Sequence, residues 1–170
     1  MSADAVRVSV RVKVPPARAF RLFTEEIDRW WRRGPRFRGS GARWGVLHLE
    51  PFVGGRLYES VAQGERTVVL ETGRVTAWEP PHRLVLDWRN LNFREGEVTE
   101  IEVTFAPQGE DTLVTVVHRG WEAIRADHPA RHGLDPRAFC RMMGLWWGDL
   151  MTALREHAAL TASGSPPAGR

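Results

Sequence analysis

His118 ends the run VTVVH, in which Val114, Val116 and His118 fall on one side, and Trp121 follows three residues later. A histidine there can exchange a proton near neutral pH, orient a polar ligand group, or fill a core as a hydrogen-bonded side chain. On an apolar face the third role is the commonest, and the functional alternative has His118 meeting a ligand inside a cavity. Asp127, His128, His132 and Asp135 carry metal-binding side chains, and His128 and His132 are four positions apart. That spacing aligns two ligands only on a helix, which Pro129 and Gly133 oppose, so no metal is expected. Glu95, Glu97, Glu100 and Glu102 could offer a carboxylate for acid–base work. Glu100 and Glu102 alternate with Ile101, Val103 and Phe105 and therefore face water, where nothing would shift their pKa. There is no nucleophile elbow and no glycine-rich phosphate loop, and no cofactor is expected.

Eight tryptophans come from every part of the chain. Each buries a large apolar body yet needs an acceptor for its N–H, and such a set suits an aromatic-walled cavity with a few polar points. The segment 29–43, RWWRRGPRFRGSGAR, holds six arginines and no acid. It reads as a solvated loop or as an anion-attracting rim. Its arginines, interleaved with Trp30, Trp31, Phe37 and Trp44, could also clamp single-stranded nucleic acid, but the acids elsewhere and the single cluster weigh against that partner.

These residues must be positioned by a chain of 170 residues, enough for one domain with a real core. We expect that domain over 1–160 and a disordered tail over 161–170. The lone Cys140 rules out a disulfide framework, and without a leader or an 18-residue apolar window the expected location is the cytoplasm, with no membrane contact. Val6 to Val14 alternate with polar residues, which makes a strand with one wet face. Phe20, Phe23, Ile27, Trp30 and Trp31 then repeat at helical spacing, as one bent helix or two short ones. Six strand-like segments follow, at 46–52, 56–63, 68–78, 83–89, 98–106 and 112–119, separated by glycine and proline turns. Asp135-Pro136 opens a last helix, with the aspartate as N-cap, running to about His157–Leu160.

On a helical wheel Phe139, Met142, Met143, Trp146, Trp147, Leu150, Met151 and Leu154 cover an arc of roughly 180°, wider than the stripe of an ordinary surface helix. Such a helix is gripped on more than one side. The opposite face carries Gly144 and Gly148, through which a homodimer could form. The expected class is α+β, a helix-grip fold: a seven-stranded curved antiparallel sheet wrapped around a long C-terminal helix, with two short helices after the first strand.

The pieces VPPARAFRLFTEEIDRWW, EPFVGGRLYES, GRVTAWEPPHRLVLDWR and VVHRGW, and Trp147-x-x-Leu150-x-x-x-Leu154 in the last helix, occur in the order of a known family. Over about residues 6–160 the chain resembles the SRPBCC (START-like) superfamily, and within it proteins related to the C-terminal domain of the heat-shock-chaperone ATPase activator. The resemblance implies a cavity between sheet and last helix that takes a small hydrophobic or aromatic molecule. Trp31, Trp44, Trp88, Trp121, Phe139, Met143, Trp146, Trp147 and Leu150 would form its walls, and His118 its polar anchor. It also implies two alternatives: an enzyme of the aromatase/cyclase or hydrolase type with His118 as acid or base, and a co-chaperone-like interaction domain. One departure stands out. The glycine that usually precedes the family's last-helix tryptophan is Trp146 here, a ring that could reduce the cavity.

Overall fold

Alternating burial of Val6, Val10 and Val12 against exposed Arg7 and Arg11 makes β1 (Ala5–Val12) a one-sided strand. The computed structural model describes residues 5–89 and 92–163. Pro16 stands at the first position of α1 (Pro16–Thr24), whose Ala19, Phe20, Leu22 and Phe23 turn inward. α2 (Ile27–Trp30) follows at once, so the helical spacing resolves as two short helices. The indole N–H of Trp30 donates to the carbonyls of Leu22 and Phe23 at 3.1 and 3.2 Å, which occupies acceptors that the end of α1 leaves open.

The chain then runs through β2 (Gly45–Leu49), β3 (Arg56–Gln63), β4 (Arg66–Glu79), β5 (Arg83–Trp88), β6 (Thr99–Gln108) and β7 (Asp111–Arg119). Together with β1 they form one seven-stranded antiparallel sheet in the order β1-β7-β6-β5-β4-β3-β2. β4 is irregular twice, with Thr72 unmatched against β3 and Thr76 unmatched against β5. Bulges of this kind bend a strand, and here they help curl the sheet. Between them Gly73 approaches the Asp87 carbonyl so closely that a Cβ would collide with backbone.

α3 (Pro136–Ala162) starts where the Asp-Pro pair predicts, and the Asp135 carboxylate accepts from the N–H groups of Arg137 and Ala138 at 3.0 Å each. The helix continues to Ala162, so Thr161 and Ala162, expected in the tail, are helical, while 164–170 lie outside the described residues. Its apolar arc divides along its length. Trp147, Leu150, Met151, Leu154 and Ala158 are sealed in the main core, whereas Met142, Met143 and Trp146, near the N-terminal end, are only half-buried. The two glycines do not share an outward seam: a Cβ on Gly144 would meet Val6 of β1 at 3.9 Å, and only Gly148 opens onto free space. Among the described residues no helix is long and apolar enough to cross a membrane.

Candidate functional site

Two cavities meet at Trp146. The larger, about 460 Å³, is walled by Trp88, Trp121, Phe139, Met142, Met143 and Trp146, with Arg36, Asn92 and His132 as its polar points. The smaller, about 120 Å³, is lined by Trp31, Trp88 and Trp146 together with the polar Arg38, Glu59 and Thr72. Trp88 and Trp146 border both, so the bulky ring does not fill the interior but partitions it. Its indole N–H donates to the Arg36 carbonyl at 2.7 Å, and its ring stacks on Phe37 at 5.9 Å. Edge contacts to Trp31, Trp88 and Trp147 at 5.9, 6.2 and 5.1 Å fix the remaining sides.

His118 does not face either cavity. It is wholly buried, with Nδ1 accepting from the Trp147 indole N–H at 3.1 Å and Nε2 lying 2.8 Å from the Thr99 hydroxyl. Thr99 in turn donates to the Trp88 carbonyl at 3.2 Å. Because Nδ1 is the acceptor, Nε2 carries the proton and donates to Thr99, which makes a closed relay across α3, β7, β6 and β5. Burial pushes the His118 pKa down to about 3, so the imidazole is neutral and both nitrogens are engaged. The common core reading holds, and the roles of ligand anchor and of acid or base have no support from this geometry.

Trp147 and Leu150 sit behind the cavity walls in the sealed core. Trp44 is misassigned by the sequence reading: it is 73% exposed, just before the edge strand β2, with the Arg33 guanidinium 3.9 Å above its ring. Trp31 belongs to the smaller cavity, and Trp88, Trp121, Phe139, Met143 and Trp146 meet at the larger one. Sequence reasoning missed Asn92, placed Arg36 only in an anion-attracting segment and His132 only in a rejected metal cluster, because all three lie in loops without periodicity. Met142 had a signal, since it falls on the helical arc. Both ring nitrogens of His128 are engaged, one by the Ala130 N–H of its own loop and one at the Asn92 carbonyl of the β5–β6 connection, each at 2.9 Å.

The arginine-rich segment is not a loose loop: Arg38 ties it into the core, while Arg29, Arg32, Arg33, Arg36 and Arg43 stay exposed. Arg38 is buried, with Nη1 2.8 Å from Asp28 and 3.7 Å from Glu59. Glu59 also accepts from the N–H and hydroxyl of Ser40. Asp28 gathers Arg38, Arg33 at 2.7 Å and the Leu47 N–H at 2.8 Å. Burial pushes the Asp28 pKa up, but those donors outweigh it and hold the carboxyl below its ordinary value. Arg32 and Arg36 reach α3 through the carbonyl and carboxylate of Asp149. Removing the central carboxylate would leave Arg38 buried with weaker compensation. We expect Asp28→Ala to lower stability by about 3 kcal/mol, read as a drop in urea midpoint at unchanged m. An unchanged midpoint would show that the pair contributes nothing.

A curved antiparallel sheet holding a long C-terminal helix, with an aromatic cavity at that helix's N-terminal end, defines a helix-grip protein of the SRPBCC type. Residues 13–138 match the family described as Activator of Hsp90 ATPase homolog 1-like protein, and the chain belongs to that family. The match stops just inside α3, so Trp146 and Trp147 lie beyond it. No curated protein matches the sequence. Solved structures share the fold at low identity. A protein of Nitrosomonas europaea is 17% identical, covers 94% of this chain and 96% of its own, and has a TM-score of 0.62. An HSP90 activator from Plasmodium falciparum is 17% identical, with coverage of 96% and 98% and a TM-score of 0.58. The Aha1 dimer from Colwellia psychrerythraea is 14% identical, with coverage of 91% and 95% and a TM-score of 0.60.

Proposed function

We propose that this protein binds a small, largely apolar or aromatic molecule in the larger cavity. One observation carries the reading: a volume of about 460 Å³ bounded by aromatic and methionine side chains with a few polar points. Ligand sites typically have that size and that composition. Catalysis is the less supported use, because the carboxylates Glu97 and Glu102 are held below their ordinary pKa and His118 has no free lone pair. The Glu97 shift arises first from the Arg94 N–H and then from Arg125, and the Glu102 shift from Arg83 with a smaller part from Arg119. The lone Cys140 fits a reducing compartment such as the cytoplasm.

Saturable quenching of tryptophan fluorescence by two-ring aromatic compounds is the expected result. Met143→Trp, which fills the cavity, should abolish it. If no compound saturates, or the filled variant binds as well as the parent, the reading fails.

A second use has its own observation. Trp44, Val46, Phe52 and Val53 are exposed along the β2 edge, an apolar surface of the kind that proteins dock on. By the family's name the candidate partner is a chaperone ATPase, and pull-down at low salt with Trp44→Ser as control tests it.

A further inference from the structure

We infer that the ligand of the larger cavity is an aromatic acid, a flat apolar ring system bearing one anionic oxygen group. This rests on the binding role proposed above and narrows it. The first support is charge. Arg36 borders the cavity, and among the described residues no aspartate or glutamate does. The guanidinium is paired with Asp149 at 2.9 Å, with both side chains about half exposed (56% and 46%). A pair that wet is weak, so exchanging Asp149 for a ligand carboxylate costs little. Against the apolar wall the new pair is better shielded from water and correspondingly stronger.

The second support is independent of charge. Trp121 walls the same cavity and is 4% exposed, and among the described residues its indole N–H has no acceptor. The indole N–H groups of Trp30, Trp31, Trp146 and Trp147 all donate to a protein atom. A buried donor without an acceptor is a standing cost; the N–H is closed to water in this structure, and a ligand oxygen removes the cost by opening the wall at the edge of Trp121. A bare hydrocarbon uses neither Arg36 nor this N–H, and a cation is repelled by the first and cannot accept from the second.

Calorimetric titration with indole, methyl indole-3-carboxylate and indole-3-carboxylate separates the contributions, since the three share a ring and add first an acceptor, then a charge. The carboxylate should bind at least about tenfold tighter than indole, with the ester between them. Trp121→Phe keeps an aromatic ring and removes the N–H. It should cost both carbonyl compounds roughly fivefold and leave indole within about twofold, which also shows that the variant is folded. Arg36→Gln should remove the advantage of the anion over the ester and most of its salt dependence. Equal affinity of indole and the carboxylate for the parent protein overturns the inference while the binding role stands. So does an equal loss of all three probes in both variants. If none of the probes binds the parent protein, the binding role itself falls.

Discussion

Replacing Trp146 with alanine should turn two cavities into one. The ring is one of the walls the two spaces share, with Trp88, Pro35 and Arg36, and without it Trp31 and Glu59 would line the same volume as Trp121 and Phe139. Three-ring aromatic compounds excluded by the parent protein should then bind, read as new saturable quenching of the remaining tryptophans. The substitution also removes the donor to the Arg36 carbonyl and the stacking on Phe37. Truncating a fully buried tryptophan costs about 3–5 kcal/mol, and this one is only half-buried, so a loss of about 2–3 kcal/mol is expected in urea unfolding. If the size limit for ligands and the unfolding midpoint both stay put, Trp146 is neither partition nor strap.

Mild acid should weaken the fold through His118. Its pKa in the folded protein is about 3 against an ordinary 6.5, because charging it in the sealed core is penalised. The unfolded chain therefore binds the proton first. The stability that depends on a neutral His118 is complete above pH 6.5 and is lost as pH falls from there toward 3, by about 4–5 kcal/mol in all. The depressed carboxylates, Glu26 and Asp28 among them, lose their contributions only below their ordinary values near 4. Between pH 6.5 and 5 the His118 component can therefore be isolated as the difference between two proteins. In His118→Asn the amide oxygen can still accept from Trp147, but nothing titrates at that position. Stability measured across that interval should fall by about 2 kcal/mol more in the parent than in the variant. Parallel curves would show that the imidazole is not held neutral by burial.

The strands and their order of burial were legible because period-two patterns have one physical cause, a sheet with one dry face. The start of α3 was legible for a similar reason, since Asp135 and Pro136 act locally. The wheel also identified the inward arc of α3 correctly, but inward has two meanings here. Trp147 and Leu150 point at packed side chains, and Met143 and Trp146 point at empty volume, yet periodicity gives all four the same sign. His118 was ambiguous on the same ground. Trp44 failed because a tryptophan beside an edge strand can lie under an arginine in water, and composition does not distinguish that from a cavity wall. Arg36, Asn92 and His132 reach the cavity from loops, whose paths depend on distant partners such as Asp149.

The relay from Trp147 through His118 and Thr99 to the Trp88 carbonyl also acts as an angular reference for the helix. Its bonds cross four elements from separate parts of the chain, and the one that reaches α3 forms only when the helix presents residue 147 at one azimuth about its axis. Turning the helix by a single residue, 100°, would carry that indole away from His118. Met143 lies four residues earlier, one helical turn along the same face, and Trp146 adjoins the anchored indole. A dry, polar clasp in the sealed core thereby sets the direction in which Met143 and Trp146 meet the larger cavity.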